Sequence, residues 1–162
     1  MKTRIMIKKN FWNLIFILSI FLFDRATKIL IINNVKKFDK MNIEVTSFLN
    51  FNLIWNDGIA FGLFSFDQKT YYNLITFIII LITIVIFVMI IKTQKIEKLG
   101  FMMIFGGSLG NIFDRIYYSS VPDFIDIHIN NFHWFIFNVA DIFISLGVIL
   151  LIFIEIFLRK NT

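Results

Sequence analysis

Ionisable and amide side chains recur at short intervals in an otherwise apolar chain. Asp24 and Lys28 stand four residues apart, Asn111, Asp114 and Arg115 lie within five residues, and Asn138 precedes Asp141 by three. On helices these spacings bring Asp24 to the face of Lys28, Asn111 to that of Asp114, and Asn138 to that of Asp141. Asp123 follows Pro122, whose ring fixes the backbone, and Asp141 comes eighteen residues later, after a polar excursion through Asn130 and Asn131. A chain that leaves and returns in this way lets the two carboxylates meet. Two carboxylates in one site titrate apart and hold one proton between them. The ionised member can take a proton from water while the protonated member polarises a scissile carbonyl, so an amide bond can be hydrolysed without metal or cofactor.

Other readings compete for some of these residues. Asp114 lies twenty-seven residues before Asp141, and from spacing and polarity alone it stands about even with Asp123 as the second carboxylate. The adjacent Arg115 favours Asp114 as an ionised brace at a helix end. Lys28 near a membrane surface is a conceivable base, although no Ser-Lys or Ser-His-Asp arrangement competes strongly. Asp24 and Lys28 read equally as an i, i+4 pair that lets both charges lie in a membrane helix and as direct substrate contacts. Gly106 and Gly110 form Gly-x-x-x-Gly, a helix-packing pattern. His128 and His133, in a chain without Cys, read as surface polar groups rather than metal ligands. Asp126 is expected to face water beside His128 on a strand.

The elements that must position these groups follow from the composition. Of 162 residues, 58% are hydrophobic, 22 are Phe, and only 17% are charged. Such sparse charge cannot coat a soluble globule, so most of the apolar surface must face lipid. The net charge of +5 is split into short groups beside apolar runs, which argues for topology and against nucleic acid as a partner. Four segments are long enough to cross a hydrocarbon layer of about 30 Å: about Phe11 to Ile32, Tyr71 to Ile91, about Leu99 to Ile116, and Ile136 to Leu158. Lys2, Arg4, Lys8, Lys9, Lys92, Lys95, Lys98, Arg159 and Lys160 flank the inner ends, against Lys36, Lys37, Lys40 and Lys69 outside. The balance puts both termini in the cytoplasm. Segments 33–70 and 117–135 are then outside, and the polar groups all reach the outer leaflet. The N-terminal apolar run has no small-x-small cleavage site, so it reads as an uncleaved anchor. Alternation around Phe51, Leu53 and Trp55, and again at Ile125, Ile127 and Ile129, predicts short strands in a small outer sheet.

Five stretches together resemble the lipoprotein signal peptidases, or signal peptidase II, which are bacterial inner-membrane aspartic endopeptidases. They are Asp-Arg-Ala-Thr-Lys from Asp24, Asn-Asp-Gly-Ile-Ala-Phe-Gly from Asn56, Gly-Gly-Ser-Leu-Gly-Asn-Ile-Phe-Asp-Arg from Gly106, Val-Pro-Asp-Phe from Val121, and Phe-Asn-Val-Ala-Asp from Phe137. Their order and spacing cover nearly the whole chain. The resemblance implies a catalytic dyad of Asp123 and Asp141, with Asp24, Lys28, Asn56, Gly58, Asn111, Asp114, Arg115 and Asn138 supporting the dyad or the substrate. It also implies diacylglyceryl-modified prolipoprotein substrates, cleaved on the N-terminal side of the lipid-modified cysteine. Ser108, Ile59 and Pro122 depart from the family's usual residues; Pro122 removes a backbone donor beside Asp123 and puts the local strand pairing in doubt.

The expected fold is thus a single membrane all-α domain, residues 1–162, with four transmembrane helices and a small extracytoplasmic β-containing cap. The expected function is an endopeptidase of the inner membrane that needs no metal or cofactor and meets membrane lipid and lipidated precursors; the oligomeric state is left open. Segment 51–66 is expected to form a lid or cradle for lipid. The alternative is a small proton- or cation-coupled transporter, although such proteins tend to show repeated halves and midplane charges, and neither is visible here. A non-catalytic scaffold would leave the clustering of Asp and Asn at one depth unexplained.

Overall fold

A computed structural model describes residues 2–38, 42–58, 68–130 and 132–158. Four helices account for most of them: α1 (Lys2–Phe38), α2 (Gln68–Lys92), α3 (Lys95–Tyr118) and α4 (Val139–Phe153), the last running on into a π-helical turn, Ile154–Leu158. The expected small β-containing part is a four-stranded antiparallel sheet in the order β1-β2-β3-β4. Its strands are β1 (Asn42–Thr46), β2 (Leu49–Asn56), β3 (Val121–Ile129) and β4 (Phe132–His133).

Two of the helical stretches, Lys69–Lys92 and Val139–Leu158, are long and apolar enough to cross a bilayer. Helix α2 is apolar nearly all round and exposes Leu74, Phe77, Ile82 and Val85, as a helix solvated by hydrocarbon does. Helices α1 and α3 are long enough but are interrupted by charge. That charge is turned inward: Asp24, Arg25, Lys28 and Asp114 are all buried. Small residues let these helices approach. A side chain at Gly106 would meet Ile20 of α1 at 3.0 Å, and one at Gly107 would meet the Ala140 carbonyl of α4 at 2.5 Å. Both members of the Gly-x-x-x-Gly pair face α1, Gly106 against Ile20 and Gly110 against the Asp24 side chain, so the pattern serves close helix packing.

Helix α4 begins three residues later than the apolar pattern implies. Ile136 and Phe137 are apolar, but Phe137 is bound to the sheet: its N–H donates to the Ile125 carbonyl (3.1 Å) and its carbonyl accepts from Phe124 and Ile125 (3.0 and 2.8 Å). Helix geometry starts only after Asn138, the N-cap, whose extended backbone and side chain close a capping box with Asp141. Strand β3 is longer than its alternation suggests and includes Pro122, which pairs in register with Trp55. The ladder thus persists beside Asp123, with a register irregularity between Phe51 and Ile54.

One core cluster, Ile31 and Ile32 of α1, Leu53 of β2, Phe124 of β3 and Val139 of α4, joins four elements. Phe124 and Val139 are the chain neighbours of Asp123 and Asn138, so the same packing that seals the sheet against the helices fixes the candidate site. Asp126 lies on the Phe124 face of β3 and is buried, with both carboxylate oxygens 2.9 Å from His133 Nδ1. The expectation that it faces water fails, because even positions of this strand turn toward the core. His133 is half exposed and stacks on His128 at 4.9 Å.

Candidate functional site

Asp123 arrives on β3 and Asp141 in the first turn of α4, and Asn138 holds both. Its Nδ2 donates to Asp123 Oδ1 (2.6 Å), its backbone N–H donates to Asp141 Oδ2 (3.1 Å), and its Oδ1 accepts from the Asp141 N–H (3.1 Å). The capping-box carboxylate of α4 is thereby one of the two candidate catalytic carboxylates. Two more amides complete the shell. Asn56, at the end of β2, donates from Nδ2 to Asp123 Oδ2 (2.8 Å), and Asn111 of α3 donates from Nδ2 to Asp141 Oδ1 (2.8 Å). Gly58 sits at φ +79°, where only glycine is unstrained, and its N–H donates to Asn56 Oδ1 (2.8 Å). That turn leaves Asn56 only its Nδ2 to offer Asp123.

Burial raises the Asp123 carboxyl from its ordinary 3.8 to about 6; the amides of Asn56 and Asn138 oppose the shift, the charge of Asp141 adds to it, and Lys28 opposes it. Asp141 is less buried and lines an apolar cavity of about 440 Å³ together with Ile127, Trp134, Phe137, Ile142 and Leu146. Such a cavity has the size and lining of a site for an apolar ligand.

Behind the site lies a buried ion cluster. Lys28 Nζ donates to Asp24 Oδ2 (2.9 Å), Asn111 Oδ1 (3.0 Å) and Asp114 Oδ2 (2.7 Å). Arg25 Nη2 lies 2.5 Å from Asp114 Oδ1, an ion pair without hydrogen-bond alignment, and 3.5 Å from Asp24 Oδ2. Asp24 Oδ1 reaches across to accept the Ala140 N–H of α4 (3.0 Å). Asp114 is buried in ion pairs, with Arg25 and Lys28 rather than with Arg115. Successive helix positions diverge by about 100°, so Arg115 points elsewhere; its carbonyl accepts from Tyr72 Oη at 3.5 Å, and its Nε has no hydrogen-bond partner. Asp24 and Lys28 are fully buried, which favours their structural reading over substrate contact. Sequence reasoning assigns Arg25 no role, although its place between Asp24 and Lys28 in an otherwise apolar run is a signal that a third charge needs a partner. The second half of the expected lid, residues 59–66, lies outside the described residues; Trp55, within β2, is exposed and packs edge-on against Tyr118 at 5.2 Å. Among the described residues no group of three or more His, Cys, Asp or Glu is disposed to hold a metal ion.

Fold and site define a class: an apolar helical protein carrying two amide-held carboxylates where its helices meet a small sheet, beside an apolar cavity. The comparisons with known proteins agree. A sequence profile described as signal peptidase (SPase) II matches residues 16–157. The chain is 51% identical over 154 residues to the lipoprotein signal peptidase of Pelagibacter ubique (strain HTCC1062), covering 94% of this chain and 93% of that one. It is 45% identical over 151 residues to the lipoprotein signal peptidase of Wigglesworthia glossinidia brevipalpis, covering 90% and 95%. A solved bacterial membrane enzyme, determined by the in meso method at 1.9 Å resolution, superposes with a TM-score of 0.75 at 31% identity, covering 90% of this chain and 92% of that one. The chain belongs to the signal peptidase II family, and it is an enzyme of the aspartic-type signal peptidase class, a protease of lipoprotein processing.

Proposed function

We propose that this enzyme removes signal peptides from diacylglyceryl-modified prolipoproteins, cutting on the N-terminal side of the lipid-modified cysteine with Asp123 and Asp141 as the catalytic dyad. The observation that carries the reading is the Asn138 bridge, which donates to Asp123 from its side chain and to Asp141 from its backbone. One asparagine thus fixes both carboxylates relative to each other, as a shared-water mechanism requires. The ionised carboxylate takes a proton from water as its oxygen attacks the scissile carbonyl, and the protonated partner donates to the developing oxyanion. The tetrahedral intermediate then collapses: the carboxyl that took the water proton gives it to the leaving amine as the C–N bond breaks, and a hydroxyl of the intermediate returns its proton to the other carboxylate, so the dyad again holds one proton. The deeper burial of Asp123 suits it to hold the shared proton, and the placing of Asp141 at the cavity suits it to meet water and substrate.

All four helices cross the cytoplasmic membrane in this reading, with both termini inside and the sheet at the outer leaflet. Neutralisation of Asp24, Arg25, Lys28 and Asp114 by one another supports spanning by α1 and α3, since paired inward charge is what a membrane helix tolerates. The apolar cavity beside Asp141 is assigned to an apolar part of the lipidated precursor. The test is a reconstituted assay on a precursor with and without diacylglyceryl modification, with products identified by mass. Cleavage of the modified form alone, at the bond before its cysteine, is expected; equal cleavage of both forms, or cleavage elsewhere, contradicts the proposal. Trp55→Ala is expected to slow turnover of the lipidated precursor if segment 51–66 cradles lipid, and unchanged turnover discards that role.

A further inference from the structure

Three asparagines face the two carboxylates, and each has its carbonyl end already taken. Gly58 N–H binds Asn56 Oδ1, Asp141 N–H binds Asn138 Oδ1, and Lys28 Nζ binds Asn111 Oδ1. An amide is nearly symmetric in shape, so what lies at one end decides which end faces the other way. Turned over, Asn111 would aim its carbonyl at the Asp141 carboxylate and its NH₂ at the Lys28 ammonium, and both contacts would be repulsive. The three N–H groups of Lys28 are all committed, to Asp24, Asn111 and Asp114. Lys28 is fully buried, so it offers neither a lone pair nor a surface to substrate. The charged groups around this arm are Asp24 and Arg25 from α1, Asp114 from α3 and, on the far side of Asp141, Asp123 from β3. We propose that Lys28 is a positioning residue for the reaction, acting through the Asn111 amide to keep an N–H donor on Asp141 Oδ1. The proposal rests on the dyad reading above.

The test compares the purified, reconstituted enzyme with Lys28→Met/Asp114→Asn, with Asn111→Leu, and with all three changes together, on a diacylglyceryl-modified precursor. Removing Lys28 and Asp114 as a pair leaves Asp24 with Arg25, so the buried charges still cancel. If Lys28 works through Asn111, the Lys28 pair lowers kcat about 100-fold through misplacement of the carboxylate, with KM held within about twofold. The triple variant is then no slower than Asn111→Leu alone, since both changes remove the same interaction. Losses that multiply, or a loss confined to KM, overturn the proposal. Asn111→Asp guards against a pair variant that does not fold: it keeps an acceptor for Lys28 and replaces the donor to Asp141 with a carboxylate oxygen that repels it. It is expected to fold and to lose kcat to a similar extent, and full turnover in it overturns the proposal. Asp141→Asn separates the two levels. Activity surviving there brings down the dyad itself, whereas an inactive Asp141→Asn with multiplying Lys28 and Asn111 losses brings down only the positioning role.

Discussion

At the scale of single residues, the site is a problem of holding two carboxylates close together without losing either to solvent or to a counter-ion. Amides solve it, because each supplies a donor without a competing charge. The cost falls on Asp123. Its folded carboxyl titrates near 6 against an ordinary 3.8, so the folded state binds the proton more tightly than the unfolded one. The resulting stabilisation is present in full below about 3.8 and is lost as pH rises through about 6. The melting temperature in detergent is expected to fall between pH 4 and 7, with a shallower fall in Asp123→Asn; an identical slope in the two proteins removes this account. Much of this convergence is legible at this scale, since ionisable and amide groups within apolar runs are few and each demands a reason. Asp24, Lys28, Asn111, Asp123, Asn138 and Asp141 all converge. What could not be read was the pairing: Arg25 rather than Arg115 meets Asp114, and Asp126 is buried against His133, because partner choice depends on how elements dock.

Elements impose their own requirements on the site. Asn138 is at once the N-cap of α4 and the bridge between the carboxylates, so cap and site can be separated by substitution. Asn138→Ala is expected to lose about 1 kcal/mol of stability together with activity. Asn138→Ser should recover the cap but not the reach to Asp123, giving near-native melting with little turnover. Recovery of both would show that the bridge is dispensable. Close helix contact matters in the same way. A methyl at Gly107 would stand 2.5 Å from the Ala140 carbonyl, which is rigid backbone next to Asp141, so Gly107→Ala is expected to cost about 1–3 kcal/mol and to slow turnover. Unchanged melting and rate would mean that α3 and α4 can part freely. The four helices follow from hydrophobic runs, and β2 and much of β3 from alternation. Strand β1, with its mostly exposed residues, carries no such pattern. Hydropathy places the start of α4 at Ile136, whereas Phe137 pairs with the sheet through Ile125, a distinction that hydropathy alone does not make.

For the whole molecule, sparse charge has two uses. In the proposed orientation the basic flanks set which ends face inward, while Asp24, Asp114, Asp123 and Asp141 gather where α1, α3 and α4 meet the sheet. A chain without native Cys allows the proposed orientation to be read directly: single cysteines placed at Lys92 and Lys95 should resist a membrane-impermeant thiol reagent added outside intact cells, whereas one at Phe132 should react. The reverse pattern contradicts the inward termini. The central claim is that Asp123 and Asp141, not Asp114, perform hydrolysis. Its most direct measurement is cleavage of a diacylglyceryl-modified precursor by the purified enzyme carrying Asp114→Asn, Asp123→Asn or Asp141→Asn, each checked for folding. The account predicts that Asp123→Asn and Asp141→Asn each lose about 10²–10⁴-fold in kcat, while folded Asp114→Asn keeps measurable turnover. Activity surviving in Asp123→Asn but lost in folded Asp114→Asn would contradict it.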